Sequence, residues 1–119
     1  MIRFLAFLTL VFGTTAMASP RAAPPTVTIV FPEEGETTLG TPTLDIGGSY
    51  TPKDLTESIS VTVVDANDKV VGTGAAKMLN GVWSFNLADV PTGKGYRAAA
   101  YVDNTEPAIF SNVPTFNVK

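Results

Sequence analysis

The 119-residue sequence contains no cysteine and no histidine. Without cysteine there is no disulfide, so the stability of a domain of this size must come from burying apolar side chains. The absence of both residue types also excludes Ser-His-Asp and Cys-His catalysis, together with the usual zinc and copper sites. Two catalytic arrangements stay open, namely a Ser-Lys pair and a pair of carboxylates.

Both of these arrangements fit the sequence poorly. Lys77 and Ser84 form a possible Ser-Lys pair, but we expect Lys77 to lie in a turn and both to be ordinary surface residues. A glycosidase needs two acids that face each other across a cleft. The acids of this chain stand singly at predicted turns. We therefore expect no enzymatic activity.

Basic side chains are scarce, since eight lysines and arginines stand against eleven acids and give a formal charge of −3. A mildly acidic protein is a poor partner for nucleic acid, which is bound by basic surfaces. It is equally poorly suited to adhere to anionic membranes. The charge therefore predicts neither a nucleic-acid partner nor a membrane-surface partner.

Long hydrophobic runs are also scarce, and the main one lies at the N-terminus. Arg3 precedes the apolar run Phe4–Phe12, which is too short to span a bilayer, and Ala16-Met17-Ala18 follows with small residues at both cleavage-specifying positions. This order predicts a signal peptide over residues 1–18 and a secreted or, in a Gram-negative bacterium, periplasmic protein. After cleavage we expect no membrane insertion, a proline-rich lead-in over residues 19–25 and a domain over residues 26–119.

No segment has a useful apolar stripe of helical period, whereas short alternating runs recur throughout the chain. The pattern predicts an all-β sandwich of seven strands at spacings typical of that class. Residues 77–81 are predicted to be a turn, and Pro114 is expected to break the last strand or place it at an edge. The predicted strands are Thr26–Phe31, Thr43–Tyr50, Ser58–Asp65, Lys69–Ala76, Gly81–Leu87, Tyr96–Asp103 and Ala108–Val118.

The strand GVWSFNL holds the only tryptophan, Trp83, and is predicted to anchor the core. Trp83, Phe85 and Leu87 alternate at period two, so they share one face of the strand. Tyr96 shares a face with small alanines on a later strand, and its hydroxyl is expected to tie down a neighbouring loop.

The order of these blocks resembles the bacterial immunoglobulin-like domains of secreted and surface proteins. The blocks are VTIVFPEEGETT, LDIGGSY, SVTVVDANDKVVGTGAA, GVWSFNL, GKGYRAAAYVDN and SNVPTFNV, and they cover residues 25–119. The resemblance implies a seven-stranded immunoglobulin-like sandwich. It implies little about activity, because such domains are mostly spacers, adhesion modules or binding modules.

The immunoglobulin topology would gather the loops after the first, third and fifth strands at one end. That end would carry an acidic cluster, and oxygen-rich clusters suit Ca²⁺. The other interpretation is that acids are simply common turn residues, and no calcium-loop spacing is present. The residues that would form this weakly indicated metal site are Glu33, Glu34, Glu36, Asp65 and Asp68, with Asp89 nearby.

At the opposite end, three residues are candidates for binding a protein or a cell-surface glycan. Ile109 and Phe110 are adjacent, so on a strand at most one of them can enter the core. The other is expected to lie on the surface, where it could anchor a partner or merely sit at an edge. Tyr101 is predicted to face away from Tyr96 and so to be exposed.

Overall fold

A computed structural model describes residues 23–119. The predicted signal peptide, residues 1–18, lies outside the described residues and stays a prediction. Within the described range, no helix is long and apolar enough to cross a membrane.

The described residues form ten strands and no helix. In chain order the strands are β1 (Thr26–Phe31), β2 (Thr37–Thr38), β3 (Thr43–Thr51), β4 (Ile59–Val64), β5 (Val70–Ala75), β6 (Lys77–Leu79), β7 (Val82–Ala88), β8 (Gly93–Val102), β9 (Ile109–Phe110) and β10 (Thr115–Val118).

The strands make two sheets that pack as a sandwich around a common apolar core. The first sheet has the order β1-β3-β7-β6 and is antiparallel throughout. The second has the order β2-β10-β8-β4-β5, and β9 also pairs with β8. Its only parallel pairing joins β2 to β10 among the described strands. The chain crosses from the first sheet to the second at residues 32–36, where the Gly35 amide donates to the Thr115 carbonyl over 2.7 Å.

The prediction of an all-β sandwich is confirmed, and the seven predicted strands correspond to the seven longest strands of the structure. The predicted turn over residues 77–81 is wrong, because Lys77–Leu79 is β6. Asn80 and Gly81 alone make the turn, with φ values of 51° and 87°. Such a tight Asn-Gly turn lets the residues directly before it pair with β7.

The predicted last strand, residues 108–118, is divided into β9 and β10 as Pro114 suggested. Both segments pair with β8, which runs alongside them as a single strand. Between them, the Ser111 amide donates to the Ala100 carbonyl over 2.8 Å, and the Ser111 hydroxyl accepts from the Ala100 amide over 2.9 Å. The hydroxyl replaces a backbone acceptor, so the chain can bulge without losing that hydrogen bond.

The core is made of side chains at alternate positions along the strands. Trp83 and Phe85 are buried, and Leu87 packs against them partly covered. The Trp83 indole nitrogen donates to the Thr28 carbonyl over 3.2 Å. Other core residues at these inward positions are Val27, Ile29, Leu44, Ile46, Ile59, Val61, Val63, Ala98, Ala100, Val102, Phe116 and Val118.

Glycines make room for the largest core rings. Gly48 is the register partner of Trp83, and a Cβ on Gly48 would lie 1.7 Å from the Thr28 carbonyl oxygen and 2.9 Å from Trp83 Cε2. The backbone of β1 therefore approaches β3 so closely at Gly48 that no side chain fits there. Phe31, which follows a register shift in β1, lies over the neighbouring Gly47 and is 46% exposed.

The predicted role of Tyr96 is also confirmed. Its side chain is buried, and its hydroxyl donates to the Pro91 carbonyl over 2.7 Å. The ring stacks on Phe116 with the centroids 6.0 Å apart. Tyr96 thus fixes the turn between β7 and β8 to the core of the second sheet.

Candidate functional site

The two ends of the sandwich differ in what they expose. One end holds the ends of β1, β4 and β7 and the turns that follow them. The other end holds the loop between β3 and β4, the turn between β6 and β7 and the loop between β8 and β9. We call the first the acidic end and the second the docking end.

Three carboxylates at the acidic end accept hydrogen bonds from backbone amides. Glu34 Oε1 accepts from the Thr115 amide over 2.9 Å, and Glu36 Oε1 accepts from the Glu33 amide over 2.7 Å. Asp65 Oδ1 accepts from the amides of Asn67 and Lys69 over 2.8 and 3.0 Å. The bonds of Glu36 and Asp65 are those by which acids stabilise turns, whereas the bond of Glu34 holds the segment after β1 to β10.

Arg97 lies on β8, opposite Thr115 of β10 and Val64 of β4. It forms an ion pair with Asp68, whose side chain is 77% exposed. In the part of the chain that the structure describes, no group of three or more acidic side chains is arranged to hold a metal ion. Of the predicted calcium ligands, Glu34, Glu36 and Asp65 thus accept bonds from backbone amides, and Asp68 pairs with Arg97.

The docking end and the adjoining sheet face carry the three residues that the sequence singled out for binding. Ile109 and Phe110 form β9, where Phe110 is opposite Tyr101 and Ile109 is opposite Val102. Ile109 is half-buried and packs against the core, whereas Phe110 is 64% exposed. Tyr101 supports Phe110, with the ring centroids 5.9 Å apart and the planes tilted by 51°.

The segment that carries Phe110 is held in place by a residue that the sequence reasoning missed. Asn112 lies in the bulge after β9, and its side-chain amide bonds to β1. Asn112 Oδ1 accepts from the Ile29 amide over 2.8 Å, while Asn112 Nδ2 donates to the Ile29 carbonyl over 3.0 Å. The Asn112 side chain thereby bonds both backbone groups of Ile29 at the edge of the first sheet, and it links that edge to the second sheet. Pro114 signalled the interruption, but nothing in the sequence showed which strand the asparagine would reach.

Asp103 is a second residue that the sequence reasoning missed. Its carboxylate accepts hydrogen bonds from the hydroxyls of Ser58 and Ser60. Its amide also donates to the Ser58 carbonyl over 2.9 Å. These bonds fasten the loop before β4 to the loop after β8 at the base of the docking end.

The possible Ser-Lys pair has a geometry different from the one expected. Lys77 lies in β6 directly opposite Ser84 in β7, not in a turn. Lys77 is exposed, and the hydrogen bonds of the described residues include none between the two side chains. A lysine that activates a serine is normally desolvated. Lys77 and Ser84 therefore remain a cross-strand surface pair.

No model of a known protein family matches the chain, and no curated protein matches it either.

Proposed function

We propose that this protein is a secreted immunoglobulin-like module without catalytic activity, which binds a protein partner through Phe110 at its docking end. The partner would be met in the medium or on a cell surface. The observation that carries the proposal is the exposed but supported aromatic ring of Phe110.

The strand order supports the immunoglobulin-like class. The order β1-β3-β7-β6 corresponds to the A-B-E-D sheet of immunoglobulin domains, and β10-β8-β4-β5 corresponds to G-F-C with one added strand. The hydrogen bond from the Tyr96 hydroxyl to Pro91 corresponds to the tyrosine corner of that fold. In such sandwiches the loops carry binding sites on a rigid scaffold.

Phe110 has the features of an interface anchor. Among the described residues, Phe110 is the most exposed aromatic side chain. Its position is fixed by pairing with β8, by the Tyr101 ring and by the adjoining bulge. Aromatic side chains are enriched at binding hot spots, and a side chain that is already ordered loses less conformational entropy on binding.

A carbohydrate is the second candidate partner, because the Tyr101 and Phe110 rings lie together on a sheet face. A sugar that stacks on both rings requires them to offer one flat platform. The planes are tilted by 51°, so the pair presents a wedge instead. This geometry favours a protein pocket that receives Phe110 over a glycan that covers both rings.

Replacing Phe110 by Asp tests the proposed anchor. Tagged wild-type protein and the Phe110→Asp variant would be incubated with the culture medium and cell-wall fraction of the source organism. We expect the variant to capture at least tenfold less of the partner, while its melting temperature falls by less than about 3 °C, because an exposed substitution changes stability little.

The matched control is Val82→Asp, because Val82 is 61% exposed and the change adds the same charge. It should capture the partner normally. Equal capture by the wild type and both variants would overturn Phe110 as the anchor. Loss of binding in Tyr101→Ala, together with competition by free glycans, would favour the carbohydrate instead.

A further inference from the structure

A cleft of about 610 Å³ opens at the docking end. Three segments that are distant in sequence line it, namely parts of the lead-in at residues 23–25, of the loop after β3 and of the loop before β9. The volume lies within the range of roughly 300–1,000 Å³ that is usual for ligand pockets. The cleft can therefore hold a few residues of an extended chain.

The walls of the cleft are mainly apolar. Proline rings cover much of the surface and have no amide hydrogen to offer a ligand, whereas the aliphatic side chains at the bottom pack against the core. The apolar lining residues are Pro24, Pro25, Pro52, Leu55, Pro107 and Ile109.

The cleft is preformed. The Leu55 amide donates to the Pro52 carbonyl over 3.0 Å and closes one wall as a turn. On the facing wall, the Thr105 hydroxyl donates to the Val102 carbonyl over 3.3 Å. Asp103 joins the bases of the two walls through its bonds to Ser58 and Ser60. A ligand would therefore meet walls that are already ordered.

All the charged side chains that line the cleft are acidic. Asp54, Glu57 and Glu106 line it, and no lysine or arginine does among the described residues. The basic residue next in sequence, Lys53, is turned towards Gly81, where a Cβ would lie 3.1 Å from Lys53 Cγ. The described lining is therefore an apolar trough that carries negative charge and no basic side chain.

We propose that this cleft docks an extended cationic segment of the partner protein, in which arginine or lysine side chains flank proline or aliphatic residues. The proposal rests on the proposed function, since it gives the chemistry of a segment of the same partner, bound in the cleft that Ile109, the neighbour of Phe110, helps to line. Aliphatic or proline side chains would fill the trough, while the cationic side chains would pair with the carboxylates. Arginine suits these positions because its guanidinium group can bond a carboxylate through two hydrogen bonds.

Charge and shape favour a polypeptide over the other occupants. Nucleic acids and anionic lipids would bring negative charge against the three carboxylates. A metal ion would require converging oxygen ligands, which the described residues do not provide. An extended cationic chain matches both the apolar lining and the acidic side chains.

The test uses two fluorescent octapeptides of proline and leucine, one with two arginines and the other with two glutamates at the same positions. Fluorescence anisotropy would measure their affinities for the secreted protein. We expect the arginine peptide to bind at least tenfold more tightly than the glutamate peptide, and this preference to weaken as salt is raised. Equal affinities, or no binding of either peptide, would overturn the proposal.

Two double variants locate the binding. Glu57→Gln with Glu106→Gln removes two charges from the cleft, and Glu33→Gln with Asp89→Asn removes two from the acidic end. We expect the first pair to weaken binding of the arginine peptide at least tenfold and the second pair to change it less than twofold. Equal losses would show that only net charge matters and would contradict a cleft site.

The chain's own lead-in is the other occupant to exclude, because Arg21 lies two residues before the cleft lining begins at Ala23. A tenfold gain of peptide affinity in Arg21→Ala would mean that the lead-in fills the cleft, and would overturn a partner segment. An unchanged affinity would support the proposal. Because the Phe110→Asp capture experiment does not depend on these peptides, their failure would leave the proposed function standing.

Discussion

Replacing Trp83 by Ala should cost about 3–5 kcal/mol of unfolding free energy, the range expected when a buried aromatic side chain is truncated. Trp83 is 1% exposed and donates a hydrogen bond to the Thr28 carbonyl, so the change leaves a cavity and an acceptor with one partner fewer. A domain of this size has a total stability of only about 5–10 kcal/mol. No disulfide is available to limit the loss.

Near-ultraviolet circular dichroism and urea denaturation would measure this effect. The Trp83→Ala variant should unfold at a much lower urea concentration, and the near-ultraviolet bands of its tyrosines, which do not depend on the Trp83 chromophore, should weaken with it. Val82→Ala is the matched control, because Val82 is the adjacent residue and is 61% exposed. It should stay within about 0.5 kcal/mol of the wild type, as exposed substitutions usually do. A loss below about 1 kcal/mol for Trp83→Ala would contradict the central position of Trp83 in the core.

Replacing Gly48 by Ala should destabilise the protein by about 3 kcal/mol or more, at the upper end of the cost of overpacking a core. The added Cβ would lie 1.7 Å from the Thr28 carbonyl oxygen. That atom is backbone and belongs to the paired strand β1, so β1 and β3 would have to move apart. The same movement would disturb the acceptor of the Trp83 indole.

Gly74→Ala is the matched control for Gly48→Ala. Gly74 lies in β5, and a Cβ there would lie 3.0 Å from Cε1 of the Phe85 ring. A side-chain ring can shift, so we expect a change below about 1 kcal/mol in urea denaturation. Equal effects of the two substitutions would show that strand separation at Gly48 is not the cause of its cost.

Much of the fold could be predicted from the sequence because inward residues alternate cleanly in the long strands. In the predicted strand Ser58–Asp65, the apolar residues Ile59, Val61 and Val63 alternate at period two, and all three are fully buried. The short strands β2 and β6 could not be predicted in the same way. Their two or three residues have no periodicity of their own and become strands only through the neighbours that they pair with.

The candidate site was predictable only in part. Alternation indicated that Ile109 and Phe110 would point in different directions, and the structure places Phe110 on the outside. The cleft could not be predicted, because its lining comes from three segments that meet only after both sheets have formed. The acids at predicted turns likewise indicated an acidic end. They did not show that the Asp65 carboxylate would accept hydrogen bonds from backbone amides.

Site-specific photocrosslinking tests the central claim most directly, since it asks whether the Phe110 surface touches a partner. Benzoylphenylalanine would be placed at position 110 in one protein and at position 82 in another, two positions of similar exposure on different sheets. Each protein would be irradiated with the culture medium and cell-wall fraction of the source organism. If Phe110 anchors the partner, we expect one defined protein adduct from position 110 and none from position 82. No adduct from position 110, or the same adducts from both positions, would contradict it.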